Sequence, residues 1–113
     1  SYLIPLFDQD SAALLALLDG HSITGFRTAA TSSLAVDCLA PPRPLDVGVI
    51  GSGFEAQAHL RALAAVRRVA RARVYSPSPA SRARFVAALG DLALEIVATD
   101  AAPGAVRGAD VVL

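Results

Sequence analysis

The chain has 113 residues, 54% of them hydrophobic and 18% charged, a balance that fits a folded, core-rich unit and excludes a disordered segment. Ten basic and ten acidic residues cancel, and no basic run exceeds Arg67-Arg68, which argues against a nucleic-acid partner. No apolar stretch reaches the ~18 residues of a membrane span, every basic residue is arginine, and Cys38 is the only cysteine, so an intrachain disulfide is excluded and a reducing cytoplasm is the expected setting.

The chain opens without methionine and stops on Asp110-Val111-Val112-Leu113, a buried-strand pattern with nothing after it, so it is expected to be an excerpt of a longer protein. Tyr2 to Phe7 and Ala12 to Leu18 are apolar runs separated by Asp8-Gln9-Asp10-Ser11. By pattern alone "SAALLALLDG" reads either as a strand or as a short helix with Ser11 as N-cap and Gly20 as its stop. Residues 28–39 read as a helix with Thr28 as N-cap, which puts Arg27 at a helix start where a cation is mildly unfavourable. Pro41-Pro42-Arg43-Pro44 cannot continue that helix and marks a boundary.

Beyond the prolines the pattern becomes regular. Leu45 to Ile50 is a short strand, and Phe54 to Arg68 is helical, with Ala56, Leu60, Leu63 and Val66 near one face. Arg73 to Tyr75 ends a second strand, Pro79 to Leu89 is a second helix stopped by Gly90, and Leu94 to Ala98 is a third strand. A helical turn near Pro103 to Arg107 precedes a last strand from Val111. Alternating strands and helices predict an α/β fold with right-handed βαβ units and a parallel sheet.

Between the first of these strands and its helix lies Gly51-Ser52-Gly53-Phe54-Glu55-Ala56, a G-x-G-x-x-[G/A] turn. In that position Gly51 makes the tight turn, Gly53 lets a pyrophosphate approach the backbone, and Ala56 lets helix and strand pack closely. The helix then turns its first N–H groups, from Ser52 to Glu55, toward an anion. The second strand ends at Tyr75-Ser76-Pro77-Ser78, so Ser76 holds the place where an acid would select NAD. Without that carboxylate, and with Arg82 or Arg84 on the next helix available to a 2′-phosphate, NADP is favoured slightly over NAD. The plainer reading makes Ser76 and Ser78 turn residues and Arg82 a solvated charge. His21 and His59 lack neighbours at metal-ligand spacing, so no metal is assigned.

The order of "LALLDGHSITGFRTAATSSLAVDCLA", a proline-rich joint, "VGVIGSGFEAQAHLRAL", "RVYSPSPASRARFVAAL" and "AVRGADVVL" resembles the ornithine cyclodeaminase/mu-crystallin family. The resemblance implies a Rossmann-type doubly wound parallel sheet in residues 41–113. It also implies that residues 1–40 are the end of a β-rich substrate and dimerisation domain plus its connecting helix, with residues 1–20 as strands. Arg27 and Thr28, from "RTAA", would lie between the domains, Arg27 meeting a cofactor phosphate or substrate carboxylate and Thr28 lying beside the cofactor. The family's substrate-binding lysine and catalytic aspartate would fall outside these residues. Glu55 stands where the family often has Gln, and Ser76-Pro77-Ser78 where it often has an acid or an Asn-Arg-Thr-like run.

The implied activity is nicotinamide-dependent chemistry at the α-carbon of an amino or imino acid, ornithine to proline plus ammonia in the cyclodeaminase form. A ketimine reductase, an alanine dehydrogenase-like enzyme and a non-catalytic nucleotide or small-ligand binder are the alternatives. A homodimer with a small amino or imino acid substrate, and no membrane or nucleic-acid partner, is the expected state.

Overall fold

The computed structural model describes residues 2–113; Ser1, the first residue of the segment 1–40, lies outside the described residues. In chain order the elements are β1 (Leu3–Phe7), β2 (Leu14–Asp19), α1 (Gly20–Leu39), β3 (Leu45–Ile50), α2 (Phe54–Val66), β4 (Val69–Tyr75), α3 (Pro79–Ala88), β5 (Glu95–Ala98), α4 (Ala102–Val106) and β6 (Val111–Val112). Among the described residues no helix is long and apolar enough to cross a membrane.

The ambiguous "SAALLALLDG" is a strand, because its polar opening belongs to a turn. Asp8 Oδ1 accepts from the Ser11 N–H at 2.7 Å and from the Ser11 hydroxyl at 2.7 Å, so Ser11 is engaged backwards and does not cap a helix. Leu14 to Asp19 then pairs antiparallel with Leu3 to Phe7. Gly20 begins a helix where the sequence suggested it ends one.

The start of α1 is a second correction. The helix does not begin at Thr28: its N-cap is Asp19, whose carboxylate accepts from the His21 N–H at 3.1 Å, so Arg27 and Thr28 lie in the helix interior. Thr28 therefore caps nothing, and Arg27 meets no free helix-end N–H groups. The early turns contain His21, Ile23, Thr24 and Gly25, weak helix formers whose propensity is overridden by packing. Gly25, Ala29 and Ser33 form a buried stripe at four-residue spacing, and α2 lies against it. At Gly25 any Cβ would run into the Phe54 ring, so glycine is what lets that ring lie directly on α1.

The second sheet has four strands in the order β5-β4-β3-β6, every pair parallel. Numbered within the sheet this is 3-2-1-4, the strand order of a Rossmann-type doubly wound fold, with its switch point between β3 and β6. Leu45, Val47, Val49, Ala72 and Val74 meet Leu60, Leu63, Phe85 and Leu89 in the buried core, so α2 and α3 cover one face. Each fully buried Leu or Phe there contributes about 1.5–3 kcal/mol of burial. Gly48 faces the other side, where a Cβ would stand 2.8 Å from the Ala105 carbonyl oxygen, which lets α4 lie directly on β3.

Charged groups fasten the proline joint to the amino end of this sheet. Arg67 Nη2 donates to the Pro41 carbonyl at 2.5 Å and Nη1 to the Asp37 carbonyl at 3.2 Å. Asp110 accepts from the Asp46 N–H at 2.9 Å and takes a two-pronged grip from Arg43 at 3.0 and 2.5 Å. The Asp46 N–H first, and then Arg43, hold the Asp110 carboxyl below its ordinary value. A depressed carboxylate contributes stability that is complete above its unfolded pKa and is lost as pH falls through the folded one. Asp110→Asn is accordingly expected to lower the urea midpoint of the full-length protein at pH 7, by a margin that shrinks as pH drops below about 4. A constant margin across that range would show that the charge on Asp110 contributes nothing.

Candidate functional site

The carboxyl end of β3 opens into the glycine-rich turn. Gly51 has φ of +113°, a conformation side-chain-bearing residues rarely adopt, and its N–H donates to the Tyr75 carbonyl at 2.7 Å. Gly53 is the N-cap of α2 at φ −84° and offers no side-chain cap, so the first N–H groups of the helix are left to another acceptor. A Cβ on Gly53 would meet no atom within 4 Å. Nothing in the fold itself requires glycine at 53; open space over bare N–H groups at a helix start is what a diphosphate requires.

Phe54 and Glu55 open α2 with different duties. The Phe54 ring packs over Gly25 and stacks on His21 with centroids 4.9 Å apart, so only its main chain belongs to the turn. Glu55 is exposed in the first turn, where its charge suits the helix dipole. Ala56, half-buried against the core, has the close-packing role its position suggested.

The end of β4 comes alongside. Ser76 is buried, its hydroxyl 2.8 Å from that of Ser52, so the two serines link the glycine turn to the neighbouring strand end. Ser78 caps α3, its hydroxyl accepting from the Ser81 N–H at 3.2 Å. Arg82 is not a solvated charge. Its guanidinium is buried, donating to the Ser76 carbonyl at 2.6 Å and to Asp100 Oδ1 at 2.8 Å, which removes it as a ready partner for a 2′-phosphate. The exposed cation of this helix is Arg84, held to the Ser81 hydroxyl at 2.8 Å. Ser52, Gly53, Gln57, Ser81 and Arg84 line a cleft of about 720 Å³ between the turn and α3. Sequence reading missed Gln57 and Ser81, which carry no motif and are found only through the packing of α2 against α3.

Helices α1 and α2 run side by side in the same direction. His21 and Gly25 meet Phe54, the Ser32 hydroxyl lies 3.2 Å from His59 Nε2, and Asp37 meets Arg67. Their starts therefore lie together, and Arg27 and Thr28 sit level with the first turns of α2. Thr28 is half-buried on the flank of the contact stripe. Arg27 is two residues from both Gly25 and Ala29, which at 100° per residue turns it away from α2. It is exposed, and its guanidinium has no hydrogen-bond or ionic partner among the described residues.

A model of the ornithine cyclodeaminase/mu-crystallin family matches residues 2–113. The chain is 38% identical over 85 residues to a Δ1-pyrroline-2-carboxylate/Δ1-piperideine-2-carboxylate reductase of Azospirillum brasilense, covering 75% of this chain and 27% of that protein. It is 32% identical over 107 residues to an ornithine cyclodeaminase of Brucella abortus, covering 95% and 30%. The chain thus spans less than a third of the length of these curated relatives. Among solved structures, the Δ1-pyrroline-2-carboxylate reductase of Thermococcus litoralis in complex with NADH and L-proline superposes with a TM-score of 0.90 at 33% identity, over 96% of this chain and 34% of that one.

Proposed function

The chain belongs to the ornithine cyclodeaminase/mu-crystallin family, and on that premise we propose that the whole protein is a nicotinamide-dinucleotide enzyme acting at the α-carbon of a small amino or imino acid. The observation that carries this reading is that no protein atom crowds Gly53, above uncapped N–H groups at the start of α2 and beside Ser52 and Ser76. Residues 41–113 are taken as the opening half of the dinucleotide-binding domain, and residues 1–40 as the end of the substrate domain with its connecting helix.

When bound, the nicotinamide supplies hydride exchange with carbon; the protein groups bind, orient and exclude water. Ser52, Gly53 and the main chain of Phe54 and Glu55 hold the diphosphate, and Thr28 flanks it. Arg27 takes the substrate's α-carboxylate through paired hydrogen bonds from its planar guanidinium. Of the reactions open to this family, reduction of a cyclic imino acid is the one we favour. The reductase of A. brasilense matches at 38% identity, and the T. litoralis reductase, which binds L-proline, superposes at a TM-score of 0.90. The second reading, cyclisation of ornithine to proline with release of ammonia, is favoured by the B. abortus cyclodeaminase, matched over 95% of this chain.

Full-length protein assayed with Δ1-pyrroline-2-carboxylate and Δ1-piperideine-2-carboxylate is expected to oxidise NADPH or NADH in step with the amino acid formed. Ammonia from ornithine without imine reduction would transfer the assignment to the second reading. Silence on both, with either nucleotide, would overturn the proposal.

For the cofactor we infer NADP, since Ser76 puts no carboxylate at the ribose and Arg84 and Ser81 lie on the wall of the cleft that Ser52 shares. Ser76→Asp is expected to move the ratio of kcat/KM values toward NAD at least tenfold, through repulsion of the 2′-phosphate. An unchanged ratio would mean that residue 76 does not face the ribose. Among the described residues eighteen large hydrophobic side chains are exposed, most of them on the hairpin and α1. We take them to be covered by the rest of the subunit and by a second subunit of a homodimer.

A further inference from the structure

Arg82 is an unusual occupant of the fourth position of α3. It is the most deeply buried charged residue described, at 6% exposure, yet no other charged group shares its burial: its acidic partner Asp100 is fully exposed. A guanidinium withdrawn from water in this way carries a large desolvation cost unless its donors are satisfied. Two of them are, and both acceptors lie at carboxyl ends of neighbouring strands. The Ser76 carbonyl follows β4 and the Asp100 carboxylate follows β5. The guanidinium carbon also lies 5.9 Å from the centre of the Tyr75 ring, at the last residue of β4.

We propose that Arg82 is a positioning residue for the adenosine half of the dinucleotide: its buried guanidinium ties the ends of β4 and β5 together and fixes Ser76 against Ser52 at the rim of the crevice. The inference rests on the dinucleotide-binding reading above. In open α/β sheets a ligand binds outside the carboxyl ends of the strands, and the residue closing the second strand faces the adenosine ribose. Here that residue is Ser76. Its hydroxyl meets Ser52 at 2.8 Å, while its carbonyl is held from behind by Arg82 at 2.6 Å. Pro77 follows and supplies no N–H, so the turn between β4 and α3 has few main-chain bonds of its own to define it. Side-chain contacts define it: the Ser78 cap, the serine pair, the Ser76 hydroxyl on the Ser78 carbonyl at 3.5 Å, and Arg82.

The guanidinium does not touch the space over Gly53, so its loss should appear in nucleotide binding through Ser76 and leave the hydride step nearly intact. Arg82→Met keeps most of the buried stem and removes the donors. In the full-length protein it is expected to raise the dissociation constant for the preferred nucleotide at least tenfold. At saturating nucleotide, kcat should fall less than threefold. Arg82→Lys, which keeps a charged donor, should recover part of the affinity. Asp100→Asn should cost a smaller factor and add little when combined with Arg82→Met, because the two residues form one tie. Asp91→Asn, which weakens the exposed Arg61–Asp91 pair at the opposite end of α3, should leave nucleotide affinity within twofold.

Unchanged affinity in Arg82→Met, or a fall in kcat equal to the fall in kcat/KM, would overturn the inference. So would equal losses in Arg82→Met and Asp91→Asn, since that would reduce Arg82 to a general stabiliser. If Arg82→Met does not fold, Arg82→Lys and Asp100→Asn carry the same readout. Wild-type protein that binds neither nucleotide would overturn the proposed function itself; wild-type binding with unaltered variants would overturn this inference alone.

Discussion

Gly53→Ala is expected to leave the full-length protein folded and close to its original stability while weakening dinucleotide binding about a hundredfold. The added methyl meets nothing within 4 Å, and a φ of −84° is open to alanine. What the fold loses is a glycine at an N-cap, where alanine is disfavoured by about 1 kcal/mol or less. What the ligand loses is its approach to the N–H groups of α2, and each hydrogen bond to a charged group carries about 1.5–3 kcal/mol. Gly51→Ala should show the reverse signature. Its Cβ also meets nothing, but at φ +113° the backbone is strained by roughly 1–3 kcal/mol, so stability falls first. Thermal melts beside nucleotide titrations separate the two. Gly53→Ala with undiminished affinity would remove the diphosphate from this turn.

The regular half of the chain was legible because local and tertiary signals agree there. Leu45 to Ile50 is apolar apart from Asp46, its helix follows a spaced glycine turn, and β3 and α2 begin where those residues place them. Around α1 the signals conflict. Gly25 disfavours a helix locally, and its reason for being there, the Phe54 ring, is 29 positions away in sequence. The cap at Asp19 was hidden for the same reason: helix formation through His21 to Gly25 is justified only once α2 lies alongside. At the site, spacing alone identified Gly51, Gly53 and Ser76 as neighbours of one another. It did not reveal that Arg82 is buried, because the acceptors that satisfy its donors, the Ser76 carbonyl and Asp100, lie six and eighteen positions away at two different strand ends. Arg84, two residues on and outwardly similar, is the one left exposed.

Arg27→Ala is expected to lower kcat/KM for an imino acid carrying a carboxylate by two to three orders of magnitude, with almost no change in melting temperature. The stability half follows from exposure: the Arg27 side chain has no partner among the described residues whose loss would be felt. The kinetic half follows from removing one member of a desolvated charge pair, about 2–5 kcal/mol. Helix geometry is the ground for proposing a carboxylate partner. The stripe of Gly25, Ala29 and Ser33 points at α2 and so toward the glycine turn, and Arg27 projects from the opposite side of α1. A diphosphate partner would therefore require the side chain to wrap around its own helix, which favours the proposed contact with the substrate carboxylate. Two controls make the assignment testable. Arg27→Lys keeps the charge but not the planar fork, and should recover only part of the loss. With Δ1-pyrroline, which lacks the carboxylate, wild type and Arg27→Ala should differ by less than threefold. A defect of equal size on both substrates, accompanied by a weaker nucleotide dissociation constant, would move Arg27 from the substrate to the cofactor phosphates.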